Sequence, residues 1–314
     1  MTYRSSSLAR VWSIGLAALV ATSALTVAGQ APPTPPQAGA PAGGARGASP
    51  FVPPDPLDYE NRDGWTSIFD GRSLAGWDGN PQVWSVEDGA ITATSTRERR
   101  LGSTHLIWQG DLADFEWKFE IKLTSDIHAG VAYRSFIDLN RGGGARAAGP
   151  PAAAGARGAT PPAGAPPAAT TAGRGPAQPP VAVPADPKWT LYGPGLDYDY
   201  DLIMAGNVED RGTPRREVAW RGLIVRSEAG KRARAIGRLG DADALKALIK
   251  PDDWNQVHII ARGHQLTHII NGQVMTILFD DDPEYFRASG FIGIGIEQFG
   301  FGRVSVRNLW IMRH

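Results

Sequence analysis

A strict two-residue alternation runs through residues 115–123, and it constrains the fold of this chain more than any other feature. In the run FEWKFEIKL every odd-numbered position is apolar and every even-numbered position is charged. Successive side chains of a β-strand point to opposite faces, so the run predicts a strand with one buried and one solvated face. Strands of this kind are typical of antiparallel sheets that pack on a core through a single face.

Shorter apolar and β-branched runs predict further strands, separated by turn residues such as Asn271-Gly272, a pair typical of hairpins. Many short strands with turns between them predict an all-β sandwich or jelly roll. The predicted strands are 84–86, 90–95, 130–136, 198–204, 217–226, 256–261, 266–270, 274–279, 291–297 and 304–312.

One short helix is predicted near residue 245. Either Asp241 or Asp243 can cap its N-terminus, and Pro251 ends it. Its apolar face would consist of Leu245, Leu248 and Ile249.

Two tracts rich in Pro, Ala and Gly interrupt the strand pattern. Residues 29–55 have almost nothing to bury, and they predict a disordered tether. Residues 141–187 have the same composition, and they form either a linker between two domains or a disordered insertion in one surface loop. Because loop-closure entropy grows slowly with length, a long insertion costs little stability.

The first 28 residues predict a signal peptide. Arg4 and Arg10 precede an apolar stretch at 11–28 that ends in small residues, although an uncleaved membrane anchor is the alternative interpretation. The chain has no Cys, which excludes a lipobox and disulfides. We expect an exported protein, periplasmic or extracellular.

Charge gives no reason to expect a polyanionic partner. The chain carries 32 basic and 32 acidic residues, so its formal net charge is zero. We therefore expect neither nucleic acid nor a membrane as partner, beyond the export signal.

The segment at 64–77, GWTSIFDGRSLAGW, resembles the opening signature of the 3-keto-disaccharide hydrolase domain, a family long called a domain of unknown function. Eight further segments resemble the family in the same order, and the resemblance covers about residues 60–314 except for the inserted tract. They are WSVEDG at 84–89, DFE at 114–116, GVAYRS at 130–135, YDYD at 198–201, WN at 254–255, ARG at 261–263, THIING at 267–272 and GIGIE at 293–297.

The resemblance implies a concanavalin-like β-sandwich of two antiparallel sheets, secreted or periplasmic, that acts on glycosides oxidised at C3 of the sugar. It continues on both sides of residues 141–187 and therefore favours an insertion over a linker. We accordingly predict a single domain at 56–314, interrupted by a disordered insertion at 141–187.

Alternation places small and charged residues together on one face of three predicted strands. Gly inside a strand often marks the close approach of a ligand, which predicts a sugar cleft there. The predicted catalytic residues are Asp201, Glu297 and Asp199. The predicted substrate-binding residues are Arg134, Trp220, Arg221, His268, Gly130 and Gly295.

Structural explanations compete with several of these assignments. A charged residue on the outer face of a sandwich is usually only solvated. His268 lies between Leu266 and Ile270 at two-residue spacing, which favours a core histidine. Trp220 either stacks on a sugar or packs. Phe299 stands where the family commonly carries His, a residue type that can act as a base or a metal ligand.

The predicted chemistry is hydrolysis or β-elimination of a 3-keto-glycoside. A ketone at C3 acidifies the C2 proton, so that Asp201 or Glu297 can remove it while Asp199 protonates the leaving oxygen. Arg134 or a carboxylate-bound divalent ion would stabilise the enolate, but no cofactor is certain and no metal-ligand spacing is present. The alternatives are a non-catalytic carbohydrate-binding module and a laminin-G-like interaction module.

Overall fold

The computed structural model describes residues 58–141 and 182–314. The predicted signal peptide at 1–28, the predicted tether at 29–55 and residues 142–181 of the predicted insertion lie outside the described residues. These assignments stay predictions.

Within the described residues the chain is almost entirely β-structure. The strands are β1 (Thr66–Ser67), β2 (Trp77–Asp78), β3 (Trp84–Glu87), β4 (Ala90–Ser95), β5 (Thr104–Trp108), β6 (Phe115–Thr124), β7 (Ile127–Ile137), β8 (Leu191–Asp199), β9 (Val208–Arg211), β10 (Arg216–Ala219), β11 (Leu223–Glu228), β12 (Arg234–Arg238), β13 (Asn255–Arg262), β14 (Gln265–Ile270), β15 (Gln273–Asp281), β16 (Phe291–Gly300) and β17 (Gly302–Arg313). A 3₁₀ turn spans Pro187–Trp189, and the helix α1 spans Ala242–Lys246. No helix in this part of the chain is long and apolar enough to cross a membrane.

The strands form two sheets, which confirms the predicted β-sandwich. The ten-stranded sheet has the order β12-β11-β15-β14-β13-β6-β17-β4-β3, with β1 paired to β17. The seven-stranded sheet has the order β10-β9-β8-β7-β16-β5-β2. Neighbouring strands are antiparallel in both sheets, except that β11 runs parallel to β15. Strands β7 and β8, which flank residues 142–181 in sequence, are hydrogen-bonded neighbours.

The core lies between the two sheets, as the alternation in β6 predicts. The odd positions Phe115, Trp117, Phe119 and Ile121 are fully buried. Each such side chain contributes roughly 1.5–3 kcal/mol through burial. The even positions lie on the opposite face, where Glu116 accepts a hydrogen bond from Arg262 at 2.9 Å.

Two predicted strands are wrong in their bounds. The strand expected at 198–204 is β8, which ends at Asp199, because the chain turns there and the Leu202 N–H donates back to the Asp199 carbonyl. The strand expected at 217–226 is two strands, β10 and β11, which belong to different sheets. Gly222, with φ at +88°, lies in the connection between them.

The predicted helix and hairpin are confirmed. Asp241 caps α1 by accepting the N–H groups of Asp243 and Ala244, each at 3.0 Å. Leu248, which was expected on the apolar face, is 47% exposed because α1 ends at Lys246. The Asn271-Gly272 turn joins β14 to β15, with positive φ at both residues.

Candidate active site

The outer face of the seven-stranded sheet carries a floor of small residues at its centre. Gly295 of β16 pairs with His105 of β5 on one side and with Gly130 of β7 on the other. Gly130 in turn pairs with Asp197 of β8. Directly paired residues of antiparallel strands share a face, so His105 and Asp197 flank two adjacent glycines.

Glycine is required in this floor because neighbouring atoms approach too closely for a side chain. A Cβ atom at Gly130 would lie 2.7 Å from the Leu196 carbonyl oxygen, and one at Gly295 would lie 3.0 Å from His105 Nε2. The missing side chains therefore let the Leu196 carbonyl and the His105 ring approach the backbone closely, and both glycines are buried.

Charged side chains gather around this floor. Arg211 of β9 donates through Nη2 to Glu209 Oε1 at 2.5 Å and to Glu297 Oε1 at 2.9 Å. These three side chains are 14–20% exposed, so the cluster is largely removed from water but still reachable from it. Asp197 completes the cluster and retains partial exposure.

Burial and crowding shift the proton affinities of this cluster. Burial, followed by the charges of Glu209 and Glu297, raises the pKa of Asp197 well above its ordinary value. Burial also raises the pKa of Glu209, against the opposing effect of Arg211. Burial alone would lower the pKa of Arg211, but Glu209 and Glu297 raise it, so the guanidinium stays charged. One cation and a carboxyl group whose pKa is raised well above its ordinary value thus lie together.

His105 is the neutral side chain that borders Gly295. Burial, reinforced by the charge of Arg211, lowers the pKa of His105 to about 3. Its Nδ1 accepts the Leu191 N–H at 3.3 Å, which fixes the ring. The imidazole is therefore uncharged at neutral pH and contributes polarity without adding a cation.

Of the residues predicted from the sequence, Glu297, Gly130 and Gly295 lie together at this site. Asp199 lies two residues beyond Asp197 on β8, where it pairs with His128, and it is 2% exposed. Burial, followed by a hydrogen bond to Asp201, raises the pKa of Asp199 to about 7. Asp201 is exposed in the turn after β8, where Oδ1 accepts the Ile203 N–H at 2.9 Å.

The structure places Arg134 away from Glu297. Arg134 lies in the irregular part of β7 next to Ser135, which pairs with Phe291, six residues from Glu297 and thus about 20 Å along β16. The side chain is 1% exposed and donates to Asp114 Oδ1 and to the Ala113 carbonyl, both at 2.8 Å. It ties loops together rather than facing the glycine floor.

Arg221 and His268 are also engaged in structural contacts. Arg221 is buried, and it donates to the carbonyls of Ala242 at 3.0 Å and Leu202 at 3.1 Å. His268 is fully buried, with Nε2 2.8 Å from the Tyr133 hydroxyl, so it is the core histidine that its neighbours indicated. Burial lowers the pKa of His268 to about 4.

Phe299 contacts His128 edge-on, with ring centroids 6.1 Å apart. Because His128 pairs with Asp199, this aromatic contact borders the site at the end of β16.

No three His, Asp or Glu side chains among residues 58–141 and 182–314 are grouped so that they could hold a metal ion.

Four residues of the site were not identified from the sequence: His105, Asp197, Glu209 and Arg211. Asp197 has the same parity as Asp199, so extending the alternation two residues upstream would have found it. The other three lie on β5 and β9, which were not predicted as strands.

Residues 64–173 and 187–312 match the sequence model of the 3-keto-alpha-glucoside-1,2-lyase-like domain. The match covers more than half of the chain, and its gap at 174–186 falls inside the predicted insertion. The family is glycosidase-like and acts on carbohydrates. No curated protein matches the chain.

Solved structures resemble the chain at low identity. A presumed glycosyl hydrolase from Parabacteroides distasonis is 18% identical, covering 80% of this chain and 99% of its own, with a TM-score of 0.43. A Bacillus subtilis protein with a galectin-like fold is 11% identical, covering 76% and 90%, with a TM-score of 0.42. The carbohydrate-binding module CBM66 from Bacillus subtilis is 9% identical, covering 74% and 93%, with a TM-score of 0.39.

Proposed function

The chain belongs to the 3-keto-alpha-glucoside-1,2-lyase-like domain family, and from that premise we propose that it cleaves the glycosidic bond of 3-keto-glycosides by β-elimination. The observation that carries the proposal is the cluster of Asp197, Glu209, Arg211 and Glu297 around the floor formed by Gly130 and Gly295. In the proposed complex a sugar ring lies beside the partly exposed side chains of this cluster, within reach of acid, base and cation together.

The reaction begins with removal of the proton at C2, which the neighbouring C3 ketone acidifies. Glu297 is the base, and it is 20% exposed, so it can reach a ligand over the floor. The electron pair of the C2–H bond becomes the C2–C3 double bond of an enolate, whose negative charge lies on the C3 oxygen. Arg211 is the cation placed to stabilise that charge.

The second step breaks the bond between C1 and the aglycone oxygen. The enolate reforms the ketone, a C1–C2 double bond forms, and the aglycone oxygen takes a proton. Asp197 is the acid, because burial and the neighbouring carboxylates favour its protonated form. Addition of water across the new double bond would turn the net reaction into a hydrolysis.

Export from the cytoplasm is part of the proposal. It rests on the basic residues Arg4 and Arg10 followed by the apolar stretch at 11–28. Expression of the full chain, with N-terminal sequencing of the mature protein, tests it. A mature protein that retains residue 1 would contradict cleavage.

Aglycone release from 3-keto-glucosides and from unoxidised disaccharides tests the activity, with a protein-free incubation as the blank. We expect release from the keto-sugars only. Glu297→Gln should lower kcat by about 10²–10⁴-fold, the usual contribution of a general base. Glu87→Gln is the matched control, because Glu87 also pairs with an arginine, Arg303 at 2.7 Å, but on the other sheet.

Three outcomes would contradict parts of the proposal. Full activity in Glu297→Gln would exclude Glu297 as the base. Release from unoxidised disaccharides at the same rate would exclude the requirement for a ketone. Sugar binding without release of any aglycone would exclude the enzyme and favour a carbohydrate-binding module.

A further inference from the structure

The hairpin of β11 and β12 carries a run of cations in a chain that is neutral as a whole. Residues 229–240 contain Lys231, Arg232, Arg234 and Arg238 and no Asp or Glu. The rest of the chain holds 28 basic and 32 acidic residues, so the formal net charge of zero conceals a local excess of positive charge. Short runs rich in Lys and Arg are typical of surfaces that bind polyanions.

The hairpin lies at an edge of the ten-stranded sheet. Among the described strands β12 pairs with β11 alone, so the other side of its backbone is open. The side chains of Lys231 and Arg234 are 66% and 61% exposed, and Arg232 and Arg238 are exposed as well. Arg234 and Arg238 lie on the order of 10 Å apart along the strand. The cations thus follow one another along an open strand and the turn before it.

Carboxylates within the hairpin neutralise only part of this charge. Glu228 is shared between Lys231 at 3.5 Å and Arg234 at 3.4 Å. No carboxylate in the described part of the chain forms an ion pair with Arg232 or Arg238. These two guanidinium groups are therefore available to an anion from outside.

Arg226 of β11 adds a further cation to the run. It pairs directly with Arg234 of β12, so the two side chains share a face of the sheet, where like charges destabilise a strand pair. Asp281 lies 3.4 Å from Arg226 and offsets one of the two charges. Five cations of the hairpin thus face two carboxylates, Glu228 and Asp281, and three positive charges are left over.

Part of the run borders a groove of about 590 Å³ between the hairpin and β10, which Lys231 and Arg232 line. The acidic side chains of this groove come from β10 and from the turn that follows β15. Arg234 and Arg238 do not line it. The second half of the run therefore has no acidic wall opposite.

Protection of the sheet edge explains some of this pattern. Charge, a bulge and a short length all discourage another strand from pairing, and β12 has all three. Edge protection does not explain the cations at Lys231 and Arg232, which precede the strand. Three of the four cations in the run are also Arg, whose guanidinium binds a carboxylate or a tetrahedral oxyanion through two parallel hydrogen bonds.

The hairpin lacks features with which proteins hold single-stranded nucleic acids and lipid surfaces. Residues 223–240 include no aromatic side chain on which a base could stack. A lipid surface is held by an apolar face beside the cations, and Ile236 is the only large apolar side chain of the hairpin that is exposed. Cations spaced along an extended strand match the repeated charges of a linear chain, which favours an acidic polysaccharide.

We propose that the hairpin of β11 and β12 is a docking surface for a linear polysaccharide that carries carboxylate or sulfate groups. The polymer lies along β12 and retains the protein without occupying the candidate active site, which lies on the other sheet. The contacts are ion pairs on an exposed surface, so binding weakens as the salt concentration rises. The inference does not depend on the elimination activity.

Calorimetric titration of the full chain with polygalacturonate, dextran sulfate and neutral dextran, at low and at high salt, tests the surface. We expect binding to an acidic polymer at low salt and none to dextran, and the polymer that binds identifies the acidic group. The double variant Arg232→Gln, Arg238→Gln should weaken binding by about tenfold, because it removes the two cations without a carboxylate partner. The matched control is Arg72→Gln, Arg97→Gln, since both residues are exposed and lie outside the hairpin.

Absence of binding to both acidic polymers would overturn the inference. Equal losses in the two double variants would also overturn it, because binding would then depend on total charge and not on the hairpin. Equal or tighter binding to duplex DNA, or to vesicles containing phosphatidylglycerol, would overturn the choice of partner. Thermal unfolding of each variant separates a binding defect from a folding defect. Failure to release an aglycone would contradict the proposed function and leave this surface unaffected.

Discussion

Replacing Arg211 by Met removes the cation that holds the candidate site together. Arg211 Nη2 contacts Glu209 Oε1 at 2.5 Å and Glu297 Oε1 at 2.9 Å. Met keeps an unbranched side chain and cannot donate a hydrogen bond. The variant therefore leaves the carboxyl groups of Glu209, Glu297 and Asp197 close together without their cation.

The expected loss of stability is moderate at neutral pH. A hydrogen bond to a charged group contributes about 1.5–3 kcal/mol, and partial exposure of these side chains favours the lower value. Two such bonds give about 3 kcal/mol. For a domain of this size that corresponds to a fall in Tm of about 6–12 °C.

The loss should grow as the pH rises. Burial and mutual repulsion already raise the pKa of Asp197 and Glu209, and removal of Arg211 raises them further. A carboxyl group whose pKa is higher in the folded state costs stability once the pH exceeds its value in the unfolded chain, about 4. Arg211→Met should therefore be closer to the unsubstituted protein at pH 5 than at pH 8.

Denaturant unfolding at pH 5, 6.5 and 8 measures this effect. The double variant Arg211→Met, Glu297→Gln should recover part of the loss at pH 8, because one of the unpaired carboxylates is gone. Arg303→Met is the matched control, since its pair with Glu87 is exposed and contributes about 1 kcal/mol or less. A deficit that does not change with pH, or the absence of any deficit, would refute the electrostatic account of the cluster.

Asp199→Asn should stabilise the protein at pH 8 by up to about 4 kcal/mol, the equivalent of three pKa units, and have little effect near pH 4. Burial and Asp201 raise the pKa of Asp199 to about 7, so ionisation of Asp199 costs stability above pH 4. Asn carries no charge and keeps the oxygen that accepts the Met204 N–H. A variant that is less stable than the unsubstituted protein at pH 8 would exclude this explanation. Arg134→Met should lower the free energy of unfolding by about 3 kcal/mol, because Arg134 is buried against Asp114 and loop carbonyls. Its KM for a 3-keto-glycoside should not change, and a stable variant with a raised KM would instead assign Arg134 to the substrate.

The sequence predicted those parts of the fold in which one face of each strand meets the core. The alternation in β6 is clean because its even positions carry charge on the face away from the core, where Glu116, Glu120 and Lys122 are partly exposed and Lys118 is covered by residues 58–61. Strand β5 escaped prediction because both of its faces bear apolar residues: Leu106 lies in the main core, and Ile107 packs with Ala132 and Leu191 on the outer face. Strand β9 escaped because three of its four residues are charged, although Asp210 is buried against Arg215.

The regularity of each strand also explains which site residues could be predicted from the sequence. Glu297 and the glycines of β7 and β16 lie on strands with a regular core face, so their position followed from parity. Asp201 was placed on that face only because the strand was expected to continue to residue 204, whereas β8 ends at Asp199. Arg134 lies beside an irregularity in the pairing of β7, where alternation no longer fixes the direction of a side chain.

The central claim is that the glycosidic bond breaks by removal of the C2 proton at the face bearing Glu297 and Arg211. A 3-keto-glycoside carrying deuterium at C2 tests it most directly, with a protein-free incubation to measure spontaneous exchange. The account predicts that the sugar product loses the deuterium and that release of the aglycone slows. Glu297→Gln should lower the rates of both the release and the enzyme-dependent loss of label by about 10²–10⁴-fold. Release of the aglycone at an unchanged rate, with deuterium retained at C2, would contradict it.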